Sequence, residues 1–418
     1  MLRNKVKNIL LIFFLISSIG FIAISYYVIQ TDTGRYYFKK VKNKIVPEER
    51  NVGFDTPKRV DKLFSLMQLE TPSDHHVTIV QNVDEAVLAV EYARKIKGNA
   101  TILFDDGIYD FRKTINIIVP NVHFKSLNQD PERVIFKGLG NFKTVGVHNI
   151  IKVERSGFVI DGITLTESPN HLIQIAGEAD ADNPIIRNCI FQDSYEQMIK
   201  VSYDLIRYPE NSSDYGLLEN NIFQYTKGVA EHYYTGGLDC IACKHWTVKR
   251  NVFRDIASPF QSTAQYAVHF WTNAQDNQVV ENLFVNNDRA IGFGMIFSAI
   301  QNQNLQFYNQ GGLIQRNVIF HSDSNDNHAD VGIGLHGSPD TVVKDNIIYF
   351  EHDYPNAIEV RDVLSTGVII TDNIINKKIQ LINGATVIEK GTKQIKKEDV
   401  INGLNKILLD LKINSIYE

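Results

Sequence analysis

TVKRNVF at residues 247–253 returns, in near copies, along more than half of the chain: FVIDGITL at 158–165, IIRNCIF at 185–191, LLENNIF at 217–223, QVVENLF at 278–284, IQRNVIF at 314–320, VVKDNII at 342–348 and IITDNII at 369–375. Taking Ile163, Cys189, Asn221, Asn251, Asn282, Asn317, Asn346 and Asn373 as one equivalent position, the steps are 26, 32, 30, 31, 35, 29 and 27 residues. A repeat of this length, rich in β-branched residues and without helical spacing, needs a unit that comes back to the same place on each pass. One coil of a right-handed parallel β-helix is such a unit. Equivalent residues of successive coils then stack about 4.8 Å apart in long parallel sheets. Asn suits the turn because it tolerates the left-handed conformation and its amide can bond to the same residue one coil on.

The chain has 418 residues, 44% of them apolar, with 11 Pro. That is enough for one extended all-β domain that grows by adding coils. A net charge of −5 argues against bulk capture of nucleic acid, so a polyanionic ligand would need a local cluster of cations. Residues 9–29 form an uncharged run of membrane-spanning length behind Arg3, Lys5 and Lys7. Residues 1–30 therefore read as a signal anchor, with a cleaved signal peptide as the alternative, and 31–55 as a tether to a body outside the cytoplasm. Cys240 and Cys243 lack the second pair of a zinc site; inward packing of Cys240 is preferred over an exported disulfide.

The segment DEAVLAVEYARKI at 84–96 has Val83, Ala86, Val90 and Ala93 at helical spacing, with Asp84 as N-cap. An amphipathic helix of this kind covers the open apolar end of a solenoid. Residues 56–98 are thus an N-terminal cap and 99–392 the coils. Residues 393–418 form a C-terminal capping helix through Val400, Leu404, Ile407, Leu408 and Leu411.

A helix followed by ILFDDGIYDF at 102–111 and then by coils resembles the pectate-lyase-like superfamily of secreted right-handed β-helix proteins. A narrower similarity lies in GGLDCIACKHWTVKRNVF (236–253), AVHFWTNAQDNQVVENLFVNNDRAIGFG (267–294), DVGIGLHGSPDTVVKDNIIYF (330–350) and YPNAIEVRD (354–362). These stretches resemble a bacterial exported β-helix group regarded as polysaccharide lyases, some associated with biofilm-matrix polysaccharide. The resemblance implies an acidic polysaccharide substrate. The superfamily also holds glycoside hydrolases, uronate epimerases and non-enzymatic adhesins. The arginine motif and clustered Asp ligands of calcium-dependent pectate lyases have no match here, so their mechanism does not carry over.

Strand parity nominates the site. If Val268 and Phe270 point inward, His269 and Trp271 point out. By the same rule Lys200, Asp239, His336, Glu359 and Arg361 face solvent, on one row of consecutive coils. Gly292 and Gly294 lie between them, where a sugar ring could approach closely, with Arg289 just upstream. The insertion 295–312 could wall the groove. This mixture fits β-elimination at a uronate. Arg361, Arg289 or Lys200 would neutralise the carboxylate. His269, oriented by Asp239, would take the C-5 proton, and His336 or Tyr234 would protonate O-4. Trp271 is a stacking platform or a packed corner, and Arg289 could instead pair with Asp288. Asp323, Asp326 and Asp330 offer oxygen ligands for Ca²⁺ but match no calcium-loop spacing, and a solvated turn is preferred. A C-5 epimerase, a glycoside hydrolase and a non-catalytic glycan binder are the rivals; a monomer is expected.

Overall fold

A computed structural model, which describes residues 32–45, 70–259, 262–296 and 304–396, is a right-handed parallel β-helix. Three long sheets of 12, 10 and 11 strands run its length, and a four-stranded sheet adds a short fourth face. The pairing is parallel and in register from coil to coil, as where Thr247, Val248 and Lys249 lie beside Gln278, Val279 and Val280. The coils begin earlier than the sequence suggests. His76–Val80 already pairs with Ala100–Phe104, ahead of residue 99, and the last strand among the described residues is Lys393–Gln394. The expected signal anchor and C-terminal helix lie outside the described residues. Among the described residues no helix is long and apolar enough to cross a membrane.

The repeated Asn is an internal ladder. Asn221, Asn251, Asn282, Asn317, Asn346 and Asn373 are all buried. The Asn282 Oδ1 accepts from the backbone N–H of Asn251 at 2.9 Å and from its Nδ2 at 3.0 Å. Asn282 Nδ2 in turn donates to Asn317 Oδ1 at 3.0 Å and to the Val248 carbonyl at 2.9 Å. The left-handed residue of each turn is the one before the Asn, as in Arg250, Glu281, Arg316, Asp345 and Asp372, with φ between 53° and 57°. The expectation that the Asn itself adopts αL is thereby corrected. Its amide is needed inside, where turn carbonyls would otherwise be orphaned.

Beside the ladder, the final Phe of four successive repeats stacks: Phe191, Phe223, Phe253 and Phe284, with centroids 4.7, 4.7 and 5.0 Å apart. Burying each ring contributes about 2–3 kcal/mol before conformational entropy is counted.

Among the described residues two α-helices stand outside the coils. Helix α1, Asp32–Ile45, falls where a tether was expected and packs on the body. Helix α2, Val83–Lys95, buries Ala86, Ala89, Val90 and Ala93 against the first coil. Its N-cap is Asn82, whose side chain accepts from the Glu85 N–H, two residues before the expected Asp84. Cys240 and Cys243 form a buried disulfide, which reverses the preference for a free, packed Cys240.

Candidate functional site

The ten-stranded sheet carries the site on its outer face. Lys200, Asp239, His269, Gly292, Gly334 and Glu359 are lateral partners in six consecutive strands. His336 and Arg361 pair two positions further along their strands, in line with Trp271 and Gly294. The predicted single row is therefore two adjacent rows. Outward orientation does not bring exposure: His269, Asp239 and Glu359 are 1%, 4% and 1% exposed. The expectation that these three face solvent fails, because larger neighbours on the same face fold over them.

At one end, Asp239 is saturated. Lys200 Nζ donates to its Oδ2 and Trp271 Nε1 donates to its Oδ1 at 2.5 Å. Burial opposes ionisation of Asp239, but the charges of Lys200 and His269 and these donors outweigh it and hold the carboxyl below its usual range. Trp271 stacks on His269 at 5.5 Å, with Lys200 Nζ 5.6 Å from its ring centre. Tyr234, the alternative to His336 as acid, stands by Lys200 at this end. His269 Nε2 donates to the Gly294 carbonyl at 3.2 Å, and its Nδ1 lies 3.9 Å from Asp239. Burial pushes its pKa down to about 4, so the ring is neutral and enclosed, a brace under Trp271.

At the other end lies a residue that sequence reasoning assigned no role. Tyr266 opens the strand Tyr266–Trp271, and its ring lies flat over two glycines. A Cβ on Gly292 would come 2.4 Å from Tyr266 Cδ2, and one on Gly334 would come 2.1 Å from Tyr266 Oη. The glycines thus make room for a side chain of this protein rather than for a sugar. Gly294 has a separate reason: φ is +74° and a Cβ would meet the His336 carbonyl at 2.1 Å. Glycines side by side in one column were the available signal for Tyr266.

The Tyr266 hydroxyl reaches His336 Nε2 at 3.2 Å. The Arg289 guanidinium lies 5.5 Å from the Tyr266 ring centre, and Arg361 sits beside His336 in the next strand. Each cation is fixed by a buried carboxylate. Asp330 Oδ2 accepts from Arg289 Nε at 3.1 Å and from its second nitrogen at 2.8 Å, so Arg289 pairs with Asp330 and not Asp288. Asp288 instead accepts from the backbone N–H groups of Ser258 and Ala264. Glu359 holds Arg361 through Nε at 2.7 Å and a second nitrogen, and also accepts from Tyr354 and Asn356.

Burial raises the Tyr266 phenol to about 12 despite Arg289 nearby. Burial, then the charges of Arg361, His269 and Arg289, push His336 down to about 3. A protonated phenol and a neutral imidazole therefore share one hydrogen bond between two guanidinium groups.

The calcium proposal fails on geometry. Asp326 accepts from the His328 and Ala329 N–H groups and faces His321 Nε2 at 3.1 Å. Asp330 is committed to Arg289, and Asp323 accepts from the Asn325 N–H. The expected solvated turn holds only at its start, where Ser324 and Asn325 are exposed, whereas Asp326, His328 and Asp330 are buried. Among the described residues no three His, Cys, Asp or Glu side chains converge to hold a metal ion. Gln301, Asn302 and Gln303 of the expected groove wall lie outside the described residues.

No family model matches this chain, and no curated protein matches it in sequence. Solved structures do match. An alginate lyase from Paenibacillus sp. str. FPU-7 aligns over 74% of this chain and 98% of its own at 12% identity and a TM-score of 0.46. A polygalacturonase from Erwinia carotovora ssp. carotovora covers 80% and 99% at 12% identity and 0.45. PfbA, a surface adhesin of Streptococcus pneumoniae, covers 74% and 89% at 14% identity and 0.37. These neighbours are pectate-lyase-like parallel β-helices. Each is a likeness of fold alone.

Proposed function

We propose that this protein is a polysaccharide lyase that cleaves a uronate-containing exopolysaccharide by β-elimination. The observation that carries the reading is the Tyr266–His336 pair at 3.2 Å, flanked by Arg289 and Arg361. Removing the C-5 proton of a uronate requires its carboxylate to be neutralised, and two fixed guanidinium groups supply that. His336 takes the proton as a neutral base, and Tyr266 delivers its phenolic proton to the departing O-4. The imidazolium then returns a proton to the tyrosinate, so the pair ends as it began.

A pKa near 3 makes His336 a weak base in the free protein. Part of that depression comes from Arg361 and Arg289, whose charge a bound carboxylate would offset. Substrate binding therefore raises the basicity of His336 when it is needed. His269, the first choice from sequence, becomes a positioning residue for Trp271 and the backbone at Gly294. Lys200, Trp271 and Tyr234 would form a neighbouring sugar subsite, with buried Asp239 holding Lys200 and Trp271 in place.

Glycoside hydrolysis is disfavoured by the state of the carboxylates. It needs one carboxyl kept protonated as an acid and a second as base or nucleophile. Asp239 and Asp330 are held below the usual range, and Glu359 is engaged by Arg361, Tyr354 and Asn356. The disulfide, together with the apolar run at 9–29, supports a body outside the cytoplasm.

The test is incubation of the protein with a panel of acidic exopolysaccharides. Ultraviolet absorbance from a 4,5-unsaturated uronate is the expected product signal. New reducing ends without that absorbance would mean hydrolysis, and solvent proton exchange without chain shortening would mean epimerisation; either result overturns the lyase.

A further inference from the structure

We infer that helix α1 is an autoinhibitory strap lying across the candidate groove, displaced when an acidic polysaccharide binds. This rests on the proposed function only for the identity of the displacing ligand. Tyr36 of α1 is buried in one cluster with Tyr266, Val331 and Tyr354. Its ring meets Tyr354 edge-on at 4.9 Å. Tyr266 is the side chain that lies on the groove floor over Gly292 and Gly334, so Tyr36 covers the surface a sugar would have to touch. A helix that merely walled the groove would leave that floor open.

Two ion pairs of α1 are of a kind that a polyanion breaks. Arg35 Nε and Lys39 Nζ pair with Asp353 at 3.2 and 2.9 Å, and Lys39 also reaches the Ser324 carbonyl at 3.4 Å. Both cations are a quarter to two-fifths exposed, so these pairs are weak and salt-sensitive. On the far side of α1, Tyr37 and Phe38 are 62% and 56% exposed, so the helix lies as a single layer on the body. A carboxylated polymer entering the groove competes with Asp353 for Arg35 and Lys39. It also competes with Tyr36 for the floor. The ligand that is excluded is thus also the one able to lift the helix.

The experiment compares the full-length protein with Tyr36→Ala. Amide hydrogen exchange is followed across α1, and binding of oligogalacturonate and oligoalginate is measured by calorimetry. In Tyr36→Ala, α1 exchange is expected to rise at least about tenfold, with the strands Tyr266–Trp271 and Ile333–His336 as protected as before. Affinity for the oligosaccharide should tighten about fivefold, since the closed state no longer competes. Oligosaccharide added to the unmodified protein should speed α1 exchange, and Asp353→Asn should reproduce a smaller part of both effects. Unchanged α1 exchange in Tyr36→Ala overturns the strap. So does weaker binding in Tyr36→Ala or slower α1 exchange with oligosaccharide bound, either of which makes α1 a wall of the site. Absence of uronate binding by both proteins overturns the acidic-substrate reading instead, and the exchange comparison then judges the docking of α1 by itself.

Discussion

Tyr266→Phe separates the chemistry of the site from its architecture. The substitution removes only the hydroxyl that meets His336 Nε2 at 3.2 Å and keeps the ring that fills the space over Gly292 and Gly334. Losing one partly buried hydrogen bond costs about 0.5–1.5 kcal/mol of stability. For a body of this size the Tm should fall by less than about 5 °C. If the phenol delivers the proton to O-4, the rate of unsaturated-uronate formation should drop by about 10²- to 10⁴-fold. Gly334→Ala is the complementary perturbation, because its Cβ would come 2.1 Å from Tyr266 Oη and 3.3 Å from His336 Nε2, forcing the phenol aside while it remains present. Initial rates of absorbance on a uronate polysaccharide that the unmodified protein degrades, paired with thermal unfolding, provide the readout. A Tyr266→Phe protein that keeps more than half of the unmodified rate would refute the assignment of Tyr266 as acid.

Other expectations follow from the same geometry. His336→Ala should abolish elimination, whereas His269→Gln should retain measurable kcat and mainly raise KM; equal loss of kcat in both would return His269 to the chemistry. Asn282→Ala orphans the buried Val248 carbonyl and the Asn251 N–H, at about 1–3 kcal/mol each, so denaturant unfolding should show roughly 3 kcal/mol of destabilisation; a loss under about 1 kcal/mol would mean the ladder is incidental. His123, His171 and His269 are lowered from 6.5 to about 4, and His336 to about 3, chiefly by burial. The unfolded chain then binds more protons below 6.5, so stability should fall as pH drops from 6.5 towards 4 and be level above it; a flat profile across that window would contradict their burial as neutral rings. Arg361→Lys should cut kcat/KM by at least about tenfold, because Lys cannot hold Glu359 and a substrate carboxylate with one planar fork.

Much of the site was legible from strand parity and repeat arithmetic. Those rules place Lys200, Asp239 and His269 on neighbouring strands of one face, and His336 beside Arg361. They could not tell outward from exposed. His269 is a strand residue pointing away from the core, yet Trp271, Tyr266 and the Gly294 carbonyl close over it. Tyr266 escaped notice because it shares the inward parity of Val268, and only the two missing Cβ atoms let its ring lie along the outer surface. Asp330 read as a cation ligand because it sits in an Asp-rich stretch, whereas its partner Arg289 lies 41 residues earlier in the chain.

By itself the sequence determined the solenoid: a repeated Asn and Phe, each needing its own kind as neighbour, admit one stacking, and the stacking brings distant strands into register. Tertiary structure alone decided which outward side chains meet solvent and which carboxylate holds which cation. It also decided that Tyr36, outside the repeat, packs against Tyr266 and Tyr354. These outcomes depend on side-chain size and charge on adjoining coils and on a helix outside the repeat, and periodicity carries no information about either.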